Sequence, residues 1–275
     1  MVQHAVSAIE PLAPGELRHA IRRGEYRCAT SGFAPGYLQG NLAILPKAYA
    51  DDFLRFCQLN PKPCPLIGVS EPGSPALPGL GHDIDIRTDL SGYRVFTGSS
   101  DYESVEDLMA VWRDDLVIFA LGCSFSFETA VLRAGVPLRH LDAGTEVPMY
   151  VTNIETRPSG PFKGPLVVSM RSFTPADAIK AVIISERLRI AHGAPVHLGD
   201  PARIGIADIM QPDFGEPPVI PEGDIPVFWA CGVTPQMAIR NACPDLAVTH
   251  EPGHMLVTDL PAEAAEFIIG GVGTA

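Results

Sequence analysis

A gapless internal repeat is the feature that most constrains the fold of this chain. Shifted by 108 residues, GCSFSFETAV (122–131) lies over ACGVTPQMAI (230–239), and Cys123 meets Cys231. Each copy follows an apolar run of strand length and continues into a helical pattern. A tight turn between such a strand and a helix lies at the carboxyl end of a sheet strand, where α/β folds bind ligands. The repeat therefore predicts two thiols beside one cleft.

The order of the other predicted elements indicates an α/β fold. We expect a mixed or mostly parallel sheet flanked by helices in residues 1–135 plus 205–275, and a smaller, inserted α+β domain in residues 136–204. SVEDLMAVWRDD (104–115) has the pattern of a capping box and predicts a helix. Thr174 and Pro175 predict the start of a long helix, and LAVTH and MLVTD a terminal pair of strands.

Charge and composition exclude several classes of function. The 275 residues carry a formal net charge of −12 and no basic run, which opposes binding to nucleic acid. No window approaches the ~20 apolar residues of a spanning helix, and the start MVQHAVSAIE lacks a signal-peptide pattern, so we expect a cytoplasmic protein without a membrane partner. The six cysteines lack close repeated spacing and predict free thiols. Without a glycine-rich phosphate loop, no cofactor is expected.

The helix predicted after each thiol indicates what that thiol could do. The first N–H groups of a helix lack internal partners and carry partial positive charge, so they attract carboxylates and lower the pKa of a nearby thiol. Cys123 and Cys231 are therefore candidate catalytic groups, with Glu128 beside the first, and Ser126 and Thr234 are the predicted helix caps. The sequence leaves open the alternative that both cysteines are small buried hydrophobes.

The segment HEPGH (250–254) matches the H-E-x-x-H pattern of zinc proteases. That pattern needs a helix, whereas Pro252 and Gly253 oppose one, so the segment predicts a turn without a catalytic zinc. His250 and His254 are candidate proton carriers in a cleft. The alternative is that they are turn residues bonded to the backbone.

Several polar residues could bind the carboxylate of a substrate. Arg87, Arg171 and Asn153 lie in or beside apolar stretches, where a buried charge needs a partner. An arginine there either clamps a carboxylate with two hydrogen bonds or forms an internal ion pair, as Arg87 could with Asp85 or Asp89. The full set of candidate substrate-binding residues is Ser124, Ser126, Thr234, Asn153, Arg171 and Arg87.

Longer stretches are recognisable as wholes, among them APGYLQGNLAILPK, RTDLSGYRVF, WRDDLVIFALGCSFSFE, HGAPVHLGDP and VFWACGVTPQ. Over about residues 15–260 the chain resembles a bacterial hydro-lyase family that is grouped with D-glutamate cyclases. The resemblance implies an α/β domain with a smaller α+β domain. It also implies a carbon–oxygen lyase that removes water from a small amino or hydroxy acid, such as D-glutamate, which cyclises to 5-oxo-D-proline. It assigns no residue roles.

Two other functions fit the residues. Two thiols on related strand–helix units are the layout of cofactor-independent amino-acid racemases and epimerases. A cleft between helix N-termini also suits a non-catalytic module that binds a small acid. Incorporation of solvent deuterium without loss of water would identify the racemase, and ligand binding that survives loss of both thiols would identify the module. A homo-oligomer is compatible with each of these functions.

Overall fold

The computed structural model describes residues 12–30, 33–98 and 101–262, which form two sheets with helices packed on them. The α-helices in these ranges are α1 (Pro14–Arg22), α2 (Lys47–Leu59), α3 (Phe125–Arg133), α4 (Arg139–Ala143), α5 (Pro175–Arg187) and α6 (Val233–Ala242). The strands are β1 (Tyr37–Pro46), β2 (Leu66–Val69), β3 (Tyr93–Phe96), β4 (Tyr102–Val105), β5 (Leu116–Gly122), β6 (Met149–Glu155), β7 (Pro165–Phe173), β8 (His197–Leu198), β9 (Ile225–Ala230), β10 (Ala247–His250) and β11 (Leu256–Pro261). None of the described helices is long and apolar enough to cross a membrane.

The larger sheet is built around β1. Its strand order is β2-β5-β1-β10-β3-β4, and β11 also pairs with β1. One edge of β1 pairs with β5 from Gly40 to Pro46, and the other edge pairs with β10 and β11 in turn. Because side chains alternate along a strand, Ile118 packs in a core cluster on one face of β5 and Phe119 in a cluster on the other. The apolar run of β5 is therefore buried along its whole length.

The smaller sheet has the strand order β6-β7-β9-β8. A shared apolar cluster joins it to the larger sheet, in which Leu38 of β1 and Phe127 of α3 pack with Phe173 and Trp229 of the smaller sheet. The rings of Phe127 and Trp229 are stacked with their centres 5.0 Å apart. This packing brings the ends of β5 and β9 toward each other.

The structure confirms the α/β class and several predicted elements. Helix α5 begins where Thr174 predicts, and the Thr174 side chain accepts a hydrogen bond of 3.2 Å from the Asp177 N–H. The two terminal strands are present as β10 and β11. The prediction allowed a mixed or a mostly parallel sheet, and every strand pairing within the described ranges is antiparallel. The division into two domains remains a prediction; the smaller sheet does include β9, which follows residue 204.

The helix predicted for residues 104–115 is wrong. Its first residues form the end of β4, which pairs with β3, and turns follow. Asp107 accepts a hydrogen bond from the Met109 N–H, and the Leu108 N–H binds the carbonyl of Arg87. Leu108 is fully buried in the core of the larger sheet. Long-range pairing and burial therefore outweigh a local helical pattern.

Candidate functional site

The two repeated strand–turn–helix units meet at one cavity of about 470 Å³. Cys123 directly follows β5 of the larger sheet, Cys231 directly follows β9 of the smaller sheet, and both line this cavity. The charge of a Cys231 thiolate raises the pKa of Cys123, so the two thiols lie within electrostatic reach of each other. The structure thus brings together the two residues that the repeat relates.

Both thiols have the same relation to the helix that follows them. The Cys123 sulfur is within hydrogen-bonding reach of the Phe125 N–H, and the Cys231 sulfur is within reach of the Val233 N–H, two residues on in each case. These N–H groups open α3 and α6. A thiolate or a carboxylate at either position would therefore meet a helix N-terminus.

The predicted helix caps are wrong by two residues. The N-cap positions are Ser124 in α3 and Gly232 in α6, so Ser126 and Thr234 lie in the first helical turns. Ser126 is buried, and the Thr234 hydroxyl accepts a hydrogen bond of 2.9 Å from the Val167 N–H of β7. Of the three predicted hydroxyl residues, Ser124, Ser126 and Thr234, only Ser124 is among the described residues that line the cavity.

A glycine beside each thiol permits close packing. A Cβ at Gly122 would lie 1.6 Å from the Ile190 carbonyl oxygen, and one at Gly232 would lie 2.6 Å from the Asn41 side-chain nitrogen. The same Asn41 nitrogen donates a hydrogen bond of 2.9 Å to the Gly122 carbonyl. Asn41 therefore links the two units at the wall of the cavity, and larger residues in place of either glycine would separate them.

Burial decides the protonation of both thiols. It raises the pKa of Cys123 to about 12, against the lowering effect of the Phe125 N–H. It also raises the pKa of Cys231, against the Val233 N–H and the charge of Arg171. The expected lowering of the thiol pKa is therefore wrong, because loss of solvation outweighs the helix N-terminus. Both thiols are protonated at neutral pH.

A buried ion pair lies behind the cavity wall. The Arg171 guanidinium donates to Glu128 from Nε at 2.9 Å and also from Nη2, and it donates to the Ser169 hydroxyl at 2.6 Å. The His140 ring lies 3.5 Å from the same Glu128 oxygen, and burial lowers the pKa of His140. Glu128 and Arg171 do not line the cavity, whereas Ser169 and His140 do. For Arg171 the alternative of an internal ion pair is the arrangement found.

The HEPGH segment is non-helical, as predicted. His250 ends β10, and Pro252 and Gly253 form a turn. Glu251 is held by two hydrogen bonds of 2.8 and 3.0 Å from Arg94. The ring of His254 bonds the Ser91 hydroxyl at 2.8 Å and does not line the cavity. No grouping of three or more side chains that could hold a metal ion occurs in the described ranges.

His250 lines the cavity as a neutral base. Its Nδ1 lies 2.8 Å from the Glu251 carbonyl oxygen, which can only accept, so Nδ1 carries the proton. Its Nε2 then accepts from the amide of Gln236 at 3.2 Å. Burial lowers the pKa of His250 to about 4. Gln236 is the counterpart of Glu128 in the repeat, so the same helical position contacts a partner side chain in both units.

Two predicted substrate-binding residues lie away from the cavity. Arg87 forms two hydrogen bonds of 2.9 and 2.7 Å with Asp85, which is the ion pair that the sequence left open. Asn153 is exposed on β6 beside Gly205. Neither residue contributes to the lining of the cavity.

His192 is a buried cavity residue that the sequence did not reveal. Its Nδ1 lies 2.7 Å from the Lys62 carbonyl oxygen, so the argument used for His250 again leaves Nε2 as the basic nitrogen. Burial lowers the pKa of His192 to about 4. Its backbone is left-handed, with φ of 76°, at the end of a short 3-10 helix. A histidine directly before Gly193 was the one available signal, and it suggested only the end of a helix.

Comparison with known proteins gives a consistent result. A family model described as D-glutamate cyclase matches residues 117–259, which include both thiols. A protein of Verminephrobacter eiseniae named “Putative hydro-lyase” is 60% identical over 245 residues, which cover 89% of each chain. A protein of Bordetella pertussis with the same description is 56% identical over 262 residues, which cover 94% of this chain and 95% of that one. A solved nitrogen repressor-like protein of Methanococcus jannaschii matches 91% of this chain and 98% of its own at 12% identity and a TM-score of 0.39, too distant to indicate a shared function.

Proposed function

Since this chain belongs to the D-glutamate cyclase family, we propose that it is a hydro-lyase that acts on a small amino or hydroxy acid between its two cavity thiols. The observation that carries the proposal is the pair of equivalent thiols, Cys123 and Cys231, each beside a helix N-terminus on one cavity. Helix N-termini bind carboxylates, which every member of this substrate class has. The specific reaction that we propose is the cyclisation of D-glutamate to 5-oxo-D-proline.

Cyclisation transfers two protons and exchanges one bond for another. The nitrogen of D-glutamate bonds to the γ-carboxyl carbon, and one carbon–oxygen bond of that carboxyl breaks. The ammonium gives up two protons, and the departing oxygen takes up two and leaves as water. The site must therefore supply a base for the nitrogen, an acid for the oxygen and donors for the developing oxyanion.

The cavity residues suit these three tasks. A protonated thiol can donate to the departing oxygen, and burial keeps Cys123 protonated at neutral pH. The thiolate left behind would accept a hydrogen bond from the Phe125 N–H and would then regain a proton. His192 and His250 are neutral at pH 7, so the Nε2 of His192, or that of His250 after its hydrogen bond from Gln236 breaks, could receive a proton from the nitrogen. Backbone N–H groups at the starts of α3 and α6 suit the oxyanion.

The test is water loss by the purified protein and by single thiol variants. D-glutamate and a panel of amino and hydroxy acids are incubated with the protein, and products lighter by one water are measured by chiral chromatography and mass spectrometry. We expect Cys123→Ala and Cys231→Ala each to lower kcat about 100-fold or more, the usual contribution of a positioned acid or base. The exposed Cys28 supplies the control, and Cys28→Ala should retain full activity. Full activity in both cavity-thiol variants would contradict the proposal.

A racemase or epimerase is the second candidate, favoured by the same pair of thiols. One thiol would remove the α-proton of an amino acid, and the other would return a proton from the opposite side. In D2O such an enzyme places deuterium on the α-carbon of recovered substrate with no net loss of water. That result would replace the hydro-lyase proposal.

A further inference from the structure

Two serine hydroxyls at the cavity are bound to the guanidinium of Arg171. Its Nη1 atom donates a hydrogen bond of 2.6 Å to the Ser169 hydroxyl, and its Nη2 atom donates one of 3.3 Å to the Ser124 hydroxyl. Both serines line the cavity, although only 1% of Ser169 and 8% of Ser124 is exposed. Arg171 does not line the cavity, so a ligand there would meet these hydroxyls rather than the guanidinium.

The chemistry of arginine fixes the direction of both hydrogen bonds. A guanidinium can only donate, so each hydroxyl oxygen accepts and keeps its own proton for another acceptor. Within the described ranges, the Ser169 hydroxyl donates to no protein acceptor. Ser172, also on β7, shows the contrast, because its hydroxyl donates to the Val219 carbonyl at 2.8 Å. The proton of the buried Ser169 hydroxyl is therefore available to a ligand.

The two hydroxyls lie toward the two thiols. The Ser124 hydroxyl is within hydrogen-bonding reach of the Cys123 sulfur. Ser169 is paired with Met149 of the neighbouring strand, so their side chains share a face of the sheet, and the Met149 sulfur lies 3.6 Å from the Cys231 sulfur. A thiol sulfur is a weak acceptor, so a carboxylate oxygen would compete well with Cys123 for the Ser124 proton.

The guanidinium makes both hydroxyls better donors. A hydroxyl that accepts a hydrogen bond from a charged group is polarised, and its own proton then binds an acceptor more strongly. Glu128 balances the charge of Arg171, so a ligand would gain directed hydrogen bonds here rather than a new ion pair. Two donors held by one rigid guanidinium suit the two oxygens of a carboxylate.

We propose that Ser124 and Ser169 form a carboxylate-binding site that holds the reacting γ-carboxyl of D-glutamate. This inference rests on the proposed function, in which Cys123 donates a proton to the departing oxygen of that carboxyl. Ser124, beside the thiol, binds the departing oxygen. Ser169 binds the oxygen that stays on the carbon and becomes the oxyanion, in addition to the backbone N–H groups.

The test compares D-glutamate with D-2-aminobutyrate, which lacks the γ-carboxyl. Dissociation constants are measured by NMR titration of the full-length protein, and the same spectra report any conversion of the ligand. Ser169→Ala and Ser124→Ala should each weaken D-glutamate binding about tenfold or more, because each removes a hydrogen bond to a charged group. Neither change should alter the weaker binding of D-2-aminobutyrate.

A serine of the same strand supplies the matched control. Ser172 is as buried as Ser169 but does not line the cavity, so Ser172→Ala should bind D-glutamate as tightly as the unchanged protein. Urea denaturation shows whether each variant is folded. The variant Ser124→Ala keeps the test decisive if loss of the Ser169 hydroxyl prevents folding, because the weaker Arg171 hydrogen bond is the one that it removes.

Three results would overturn the inference. They are unchanged D-glutamate binding in the folded serine variants, an equal loss for D-2-aminobutyrate, and no binding of D-glutamate by the unchanged protein. Binding is measured independently of turnover. A loss confined to D-glutamate, without formation of 5-oxo-D-proline by the unchanged protein, would therefore support the carboxylate site and contradict the proposed reaction.

Discussion

At the scale of single residues, each cavity thiol lies between two opposing influences. The helix N-terminus favours the thiolate, and burial favours the thiol. At Cys123 burial dominates and raises the pKa to about 12, although the Phe125 N–H by itself lowers that pKa. The residue is therefore suited to donating a proton and is a poor nucleophile until a ligand or a proton acceptor changes its surroundings.

This balance predicts slow alkylation of Cys123. Between pH 6 and 9, we expect iodoacetamide to modify Cys123 at least a hundredfold more slowly than the exposed Cys28, because the thiolate is the reacting form. Peptide mass spectrometry on timed samples measures both rates in one protein. The two cysteines should react at similar rates after unfolding in urea. Labelling of Cys123 as fast as Cys28 in the folded protein would contradict the assignment.

At the scale of elements, the Glu128–Arg171 pair joins α3 of the first unit to β7 of the smaller sheet. The Arg171 side chain is fully buried and its guanidinium lies 4.9 Å from the centre of the Phe127 ring. A buried charge without its partner is strongly unfavourable, so each residue depends on the other. The pair fixes the position of α3, and with it the Cys123 turn.

Breaking this pair should destabilise the protein. Glu128→Gln or Arg171→Met should each lower the free energy of unfolding by about 3–5 kcal/mol, since either leaves an uncompensated buried charge or polar group. The double variant Glu128→Leu/Arg171→Met should cost less than the sum of the single changes. Urea denaturation measures all of these values. Glu25→Gln, in the exposed pair with Arg23, is the control and should leave the midpoint unchanged. Additive single effects would show that the two side chains are not coupled.

At the scale of the whole molecule, two buried neutral histidines link stability to pH. Burial lowers the pKa of both His192 and His250 to about 4 in the folded protein, below the ordinary value of about 6.5. As pH falls below 6.5, the unfolded chain takes up protons that the folded chain cannot. The stability contribution of each histidine is complete above about pH 6.5 and is lost as pH falls toward 4.

We therefore expect the protein to lose stability in acid, and we expect His250 to account for a measurable share of that loss. Between pH 7 and 5 each histidine should remove about 2 kcal/mol of stability, so His250→Asn should reduce the loss over that interval by about this amount. Asparagine keeps an N–H donor for the Glu251 carbonyl. Chemical denaturation at several pH values gives the slopes. His82→Asn, at an exposed position, should show the same slope as the unchanged protein, and an unaltered slope in His250→Asn would refute the link.

The sequence by itself determined the local elements that carry strong, short-range signals. The buried run of β5, the cap of α5 at Thr174 and the turn at Pro252 follow from apolar pattern, capping chemistry and proline geometry. The repeat also predicted that Cys123 and Cys231 share a cavity. These features depend on residues within about one turn or one strand of each other, or on an internal duplication visible in the chain.

Only the tertiary structure decided the pairing of strands, the protonation of the thiols and the remaining cavity residues. Antiparallel pairing and the turn at Leu108 arise from contacts between segments far apart in the chain. The pKa of Cys123 depends on how much solvent the surrounding elements exclude, which no local pattern encodes. The His192 ring is oriented by its hydrogen bond to the Lys62 carbonyl, which is 130 residues away in the chain. Only folding places that acceptor beside the ring.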